Sequence, residues 1–116
     1  MAGSGIPNPH VIDLVTHDRR ADEYVLIMVE DRAWDGSPAR LIELEAKTNA
    51  YLSYALDGQM AAQYPQSRGR PVRIQLDCRA APDEISEAFL ELLAGAVRSE
   101  GLVFAVNVVG PAQPST

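Results

Sequence analysis

Strict alternation marks the clearest segment of the chain: Val72, Ile74, Leu76 and Cys78 interleave with Arg73, Gln75, Asp77 and Arg79. A period of two places the first set on one side of a pleated strand and the second on the other, so this strand has a buried face and a polar face. Three more runs read as strands: the β-branched residues 11–16, and the largely apolar residues 24–29 and 102–109. Residues 17–22 (His-Asp-Arg-Arg-Ala-Asp) are polar and turn-like, which makes the first two strands an antiparallel hairpin with a loop longer than the tightest type.

Two stretches follow the helical period instead. Ser37 and Pro38 open the first, Ser as an acceptor for free N–H groups and Pro at the first helical position. Leu41, Leu44, Thr48, Leu52 and Ala55 then form a stripe at three- and four-residue spacing, and Asp57-Gly58 is the stop. Residues 59–64 add a short turn that Pro65 ends. Pro82, Asp83 and Glu84 open the second helix, the acids suiting the positive end of its dipole. Its expected core face is Ile85, Phe89, Leu92 and Ala96, and Gly101 ends it.

The order is β-β-α-β-α-β. A helix between two strands of one sheet makes them parallel through a right-handed crossover, so strands two to four run together and strand one runs against them. Crossovers that advance in the same direction put both helices on one face. The expectation is an α+β two-layer sandwich: a four-stranded mixed sheet with two helices on one side and the other side uncovered. A chain of 116 residues fits one such domain, drawn here at residues 10–109 between tails at 1–9 and 110–116.

Strands two and four carry apolar residues on both sides. Tyr24, Leu26 and Met28 alternate with Val25, Ile27 and Val29, while Leu102, Phe104, Val106 and Val108 alternate with Val103, Ala105 and Val109. Helices account for one side. The other calls for cover, because monomers rarely expose a large contiguous apolar patch. The simplest cover is a homodimer through the open sheet face; the alternatives are a tail or the 59–71 segment folded over it, or two strands that are simply central.

Composition narrows the function classes. A formal charge of −6 argues against nucleic acid as a partner, since that affinity rests on Lys and Arg neutralising phosphates. No apolar run is long enough to cross a bilayer. Residues 1–9 lack the basic patch and apolar core of a signal peptide, and Cys78 is the only cysteine, so a reducing cytoplasm is the expected location.

Candidate chemistry is sparse. Ligands of α/β sheets gather beyond the carboxyl ends of parallel strands. That edge collects Asp31, Trp34 and Asp35 after strand two, Arg79 near the end of strand three, and His10 at the start of the oppositely directed strand one. These five are the candidate ligand-binding residues. A His with an Asp can act as a base and its orienter, but carboxylates before a helix more often cap it, and a Trp there more often seals the core. His17 is placed in the hairpin loop, away from His10, and the two do not suggest a metal site. Cys78 reads as a small core residue, and no catalytic residue or cofactor is expected. Arg68, Arg70 and Arg73 form a local basic patch that reads as a solvated loop or as ion pairs at an interface.

Several segments carry a resemblance: His10-Val-Ile-Asp-Leu-Val, Glu23-Tyr-Val-Leu-Ile-Met-Val-Glu-Asp-Arg-Ala-Trp-Asp, Asn49-Ala-Tyr-Leu, Leu56-Asp-Gly-Gln-Met and Pro71-Val-Arg-Ile. Across residues 10–109 the chain resembles a family of short bacterial proteins of unknown function, and the resemblance implies no activity, cofactor or site. The expected function is a non-enzymatic, homodimeric accessory or interaction protein. The alternative is a small-ligand-binding regulator or minor enzyme using the strand-end loops. A separate protein partner also fits a small acidic chain.

Overall fold

The computed structural model describes residues 14–109; His10, the expected tails and the first residues of the predicted first strand lie outside them. The elements are β1 (Leu14–Asp18), β2 (Glu23–Glu30), α1 (Pro38–Leu56), α2 (Gln59–Gln63), β3 (Val72–Cys78), α3 (Glu84–Ser99) and β4 (Val103–Val108), with a single 3-10 turn at Pro65–Ser67. The order is the one the patterning predicts, and the short turn after α1 is a helix of its own.

The sheet is β1-β2-β3-β4, so neighbours in space are neighbours in sequence. β1 pairs antiparallel with β2, while β2, β3 and β4 are parallel. Both crossovers therefore advance the same way, and right-handedness places α1 and α3 on one face. The core lies between the layers: Tyr24, Leu26, Met28, Ile74 and Leu76 from the sheet meet Leu44, Tyr51, Tyr54, Leu90, Leu93 and Val97 from the helices. Tyr51 ties the layers together, its hydroxyl donating to Ile27 O at 2.9 Å.

The caps form where the sequence places them. Ser37 accepts from Arg40 N, Pro38 opens α1, and Gly58 follows in the left-handed conformation at φ 92°. Asp83 caps α3 by accepting from Ser86 N at 2.7 Å. The loop before α1 turns at Gly36, φ 67°, where a Cβ would come within 3.0 Å of Asp83 Oδ2. Gly36 thus lets the openings of α1 and α3 sit side by side.

Three expectations need correction. His17 is a strand residue, not a loop residue: β1 runs on to Asp18, with His17 opposite Tyr24 in the ladder and stacked on its ring at 4.5 Å. Tyr51 and Tyr54, outside the predicted α1 stripe, are buried at 0% and 5% exposure, and the α1 core face includes Lys47. Its Nζ lies 5.6 Å from the Tyr51 ring centroid, a cation–π arrangement that suits an ammonium inside the fold. Finally, α3 buries Ser86, Leu90, Leu93 and Val97. Ile85 and Leu92 are 62% and 71% exposed, Ala96 is exposed too, and of the expected face only Phe89 packs against the core. Leu90, Leu93 and Val97 also repeat at helical spacing, about 100° around the axis from the predicted stripe. The sheet selects between the two.

On the face away from the helices, alternation brings Val25, Ile27 and Val29 of β2 beside Arg73, Gln75 and Asp77 of β3 and Val103, Ala105 and Asn107 of β4. No helix among the described residues packs there, yet Val25 is only 3% exposed. Asp77 Oδ1 accepts from Gln75 Nε2 at 2.9 Å and from Asn107 Nδ2 at 3.2 Å, so these three polar side chains of the face are bonded to one another.

Candidate functional site

At the carboxyl ends of the parallel strands the dominant group is one the patterning leaves unnamed. Glu30 ends β2 in phase with Tyr24, Leu26 and Met28, so its carboxylate enters the helix-facing side and is only 3% exposed. Burying an unpaired carboxylate is costly, and two arginines offset it. Arg32 donates from its backbone N and its Nε to Glu30 Oε2, both at 2.9 Å, and from Nη2 to Oε1 at 2.8 Å. The same Nη2 reaches Glu43 Oε1 at 2.8 Å, linking the loop to α1. Arg40 places Nη2 3.4 Å from Glu30 Oε1 and donates from Nη1 to Ala33 O. Burial by itself would raise the Glu30 carboxyl; the Arg32 hydrogen bonds and both positive charges outweigh it and hold the group below its ordinary value. The Arg32 guanidinium is pushed up, chiefly by its hydrogen bond to Glu30.

The predicted site residues sit around this network in structural roles. Trp34 donates from Nε1 to Ala80 O at 2.9 Å, fastening the loop after β2 to the loop after β3. Asp35 accepts from Ser37 N at 2.9 Å, and that backbone bond is the main reason its carboxyl is lowered. Asp31 and Arg79 are exposed, and Arg79 N donates to Glu30 O. The structure therefore brings Trp34 and Asp35 to one corner, leaves the Asp31 and Arg79 side chains in solvent, and does not describe His10. Cys78, in register with Glu30, is fully buried, and burial pushes its thiol up. A raised thiol is a weak nucleophile.

A second concentration of functional groups lies at the opposite end of the sheet, in a cleft of about 550 Å³ between the hairpin and the segment after α2. Asp18 Oδ1 accepts from Arg20 N and Ala21 N and so tightens the hairpin turn. The turn closes with Asp22 at φ 53°, a left-handed conformation that Asp tolerates better than most residues. This aims the Asp22 carboxylate at His17 Nε2, 2.9 Å away, while its other oxygen meets Arg70 Nε at 3.1 Å. An ionised carboxylate only accepts, so Nε2 is the donating nitrogen of the imidazole. Arg19 and Tyr64 also line the cleft. The sequence contained one signal for it, the Arg68–Arg73 basic cluster; what brings Arg70 to Asp22 is the tertiary fold. Arg73 pairs within the chain as well, 3.5 Å from Glu23.

Among the described residues no group of three or more His, Cys, Asp or Glu side chains is arranged to hold a metal ion. No helix there is long and apolar enough to cross a membrane.

A four-stranded mixed sheet under two long helices, with its strand-end corner filled by a bonded Glu–Arg network, defines a small α+β sandwich domain. The chain belongs to the family of unknown function DUF6572, whose model matches residues 4–110. No curated protein and no solved structure matches it.

Proposed function

We propose that this chain is a bacterial, cytoplasmic accessory domain that works by binding rather than catalysis, and that it pairs with a second copy through the uncovered face of its sheet. The observation that carries this reading is the exposure of Leu14, Val29 and Val103, at 50%, 37% and 53%, on the face where Gln75, Asp77 and Asn107 are bonded to one another. Exposed apolar residues beside polar groups that bond to one another lower the cost of burying the face against its symmetry mate. Binding rather than chemistry is supported by the strand-end corner, where the carboxylate of Glu30 and the indole N–H of Trp34 are committed to internal partners.

Sedimentation at micromolar concentrations tests the reading. The wild type is expected to run as a dimer and Val103→Asp as a folded monomer. Val25, 3% exposed, is unsuitable for this purpose, because a charge there would unfold the chain. A wild type that stays monomeric up to hundreds of micromolar overturns the proposal.

A second reading has its own observation. The His17–Asp22–Arg70 constellation, with Arg19 beside it, lines a cleft large enough for a small acidic metabolite. A ligand bound only by the folded state raises the melting temperature. A thermal-shift screen of phosphorylated and carboxylate metabolites is expected to give a hit that Arg70→Ala abolishes; no hit, or a hit indifferent to Arg70, ends this reading.

A further inference from the structure

The outer edge of β4 and the flank of α3 form a groove of about 420 Å³ that is separate from both the open sheet face and the hairpin cleft. Its floor is Phe104, Val106 and Val108, which lie in register with the buried Ile74, Leu76 and Cys78, on the side of the sheet that carries the helices. Yet Val106 and Val108 are 40% and 49% exposed, because α3 stops short of the sheet edge. Leu90 and Ala94 of α3 form the wall, and Glu87 and Glu91, one turn apart, form the rim.

The backbone beside this groove is open as well. Val109 N donates to Cys78 O, so the N–H of Val109 is directed at β3. Successive residues of a strand turn their N–H and C=O groups to alternate sides, which directs those of Phe104, Val106 and Val108 outward. Among the described residues no strand pairs with that edge. The three residues that floor the groove are thus the three whose backbone groups await a partner, the combination by which sheet edges accept an added strand.

We propose that β4 and α3 together bind an extended segment of another protein as a fifth strand, and that this segment carries both apolar and basic side chains on the side facing α3. The apolar ones cover Phe104, Val106 and Val108, and the basic ones lay their stems along the wall and reach Glu87 and Glu91. Charge decides among the possible occupants. A second copy paired edge to edge would bring Glu87 and Glu91 of both chains together, with like charges opposed. Residues 1–13 and 110–116 of this chain contain no Lys or Arg. A basic segment of a different protein satisfies both the edge and the rim. This docking mode does not depend on the homodimer, since it uses the edge of the sheet rather than its face.

The test uses the full chain and a short synthetic peptide of Val-Thr-Lys-Thr repeats, in which valine and lysine share one face of a strand. Fluorescence anisotropy is expected to show saturable binding, about tenfold or more tighter than for the matching Val-Thr-Glu-Thr peptide. The Glu87→Lys/Glu91→Lys variant changes two exposed helix positions, and its fold is checked by circular dichroism. It should reverse that preference. Backbone N-methylation at one alternate set of peptide positions should abolish binding, and methylation at the other set should leave it. Absence of binding, equal affinity for the lysine and glutamate peptides, or indifference to both methylation patterns overturns the proposal. So does loss of the edge to a second copy, seen as a change in sedimentation of the Glu87→Lys/Glu91→Lys variant relative to wild type.

Discussion

Arg32 holds the carboxylate of Glu30 twice at one oxygen, through its own backbone N–H and through Nε, each at 2.9 Å. A residue two positions along the chain thereby folds the end of β2 back on itself and makes a buried charge tolerable. Removing the charge strands the arginines. Glu30→Gln is expected to cost about 1–3 kcal/mol in urea unfolding, below the range for fully buried pairs because Arg32 is one-third exposed.

The same network sets an acid limit. The Glu30 carboxyl sits below its ordinary value of 4.5 in the folded chain, so the unfolded chain takes up the proton first as pH falls. The stabilisation is complete above the unfolded pKa and is lost as pH drops through the lower folded one. Urea midpoints measured from neutral pH down through the acid range should fall less steeply below about pH 4.5 in Glu30→Gln than in the wild type. Parallel slopes would show that Glu30 contributes nothing to the acid transition.

The two neighbouring leucines of α3 separate its faces. Leu93→Ala is expected to destabilise by about 2–5 kcal/mol through the cavity it leaves, and Leu92→Ala by no more than about 0.5 kcal/mol, as at ordinary surface positions. Chemical denaturation of both variants decides it; the opposite order would restore the face predicted from Ile85, Phe89 and Leu92.

That face illustrates where the sequence stops being legible. The order of the elements and the helix caps depend on residues close together in the chain, and Ser37, Pro38, Asp83 and Gly58 act as their chemistry requires. The direction of the two crossovers depends on which strands pair, and the structure supplies it. On α3 two apolar stripes satisfy the same spacing, and only the docked sheet distinguishes them. Glu30 was legible in principle, since alternation from Tyr24 puts it inward, but an acid at a strand end reads as a loop residue. The His17–Asp22–Arg70 cleft was not legible: it depends on the ladder continuing to Asp18, on the backbone at Asp22, and on an arginine from a distant loop. For Trp34 and Asp35 the more ordinary roles, sealing a corner and bonding a loop backbone, are the ones the structure displays.

Gly36→Ala tests the close approach of the two helix openings. The substitution meets an unfavourable φ and a Cβ 3.0 Å from Asp83 Oδ2, so the cap of α3 has to shift. A loss of about 1–3 kcal/mol in thermal or urea unfolding is expected. Gly58→Ala, where φ is also positive but nothing lies within 4 Å, should cost less. Equal losses would mean that conformation alone, and not the contact with Asp83, is responsible.

The monotonic strand order has a consequence for how the chain is made. Each strand docks on the one synthesised just before it, so a growing chain extends its sheet outward from the hairpin and never has to insert a strand between two already placed. Until β4 is released from the ribosome, β3 carries the exposed edge, and α3, which precedes β4 in the chain, lacks the strand that closes its crossover. The interval between completion of β3 and docking of β4 is therefore when a nascent chain most needs protection from its neighbours.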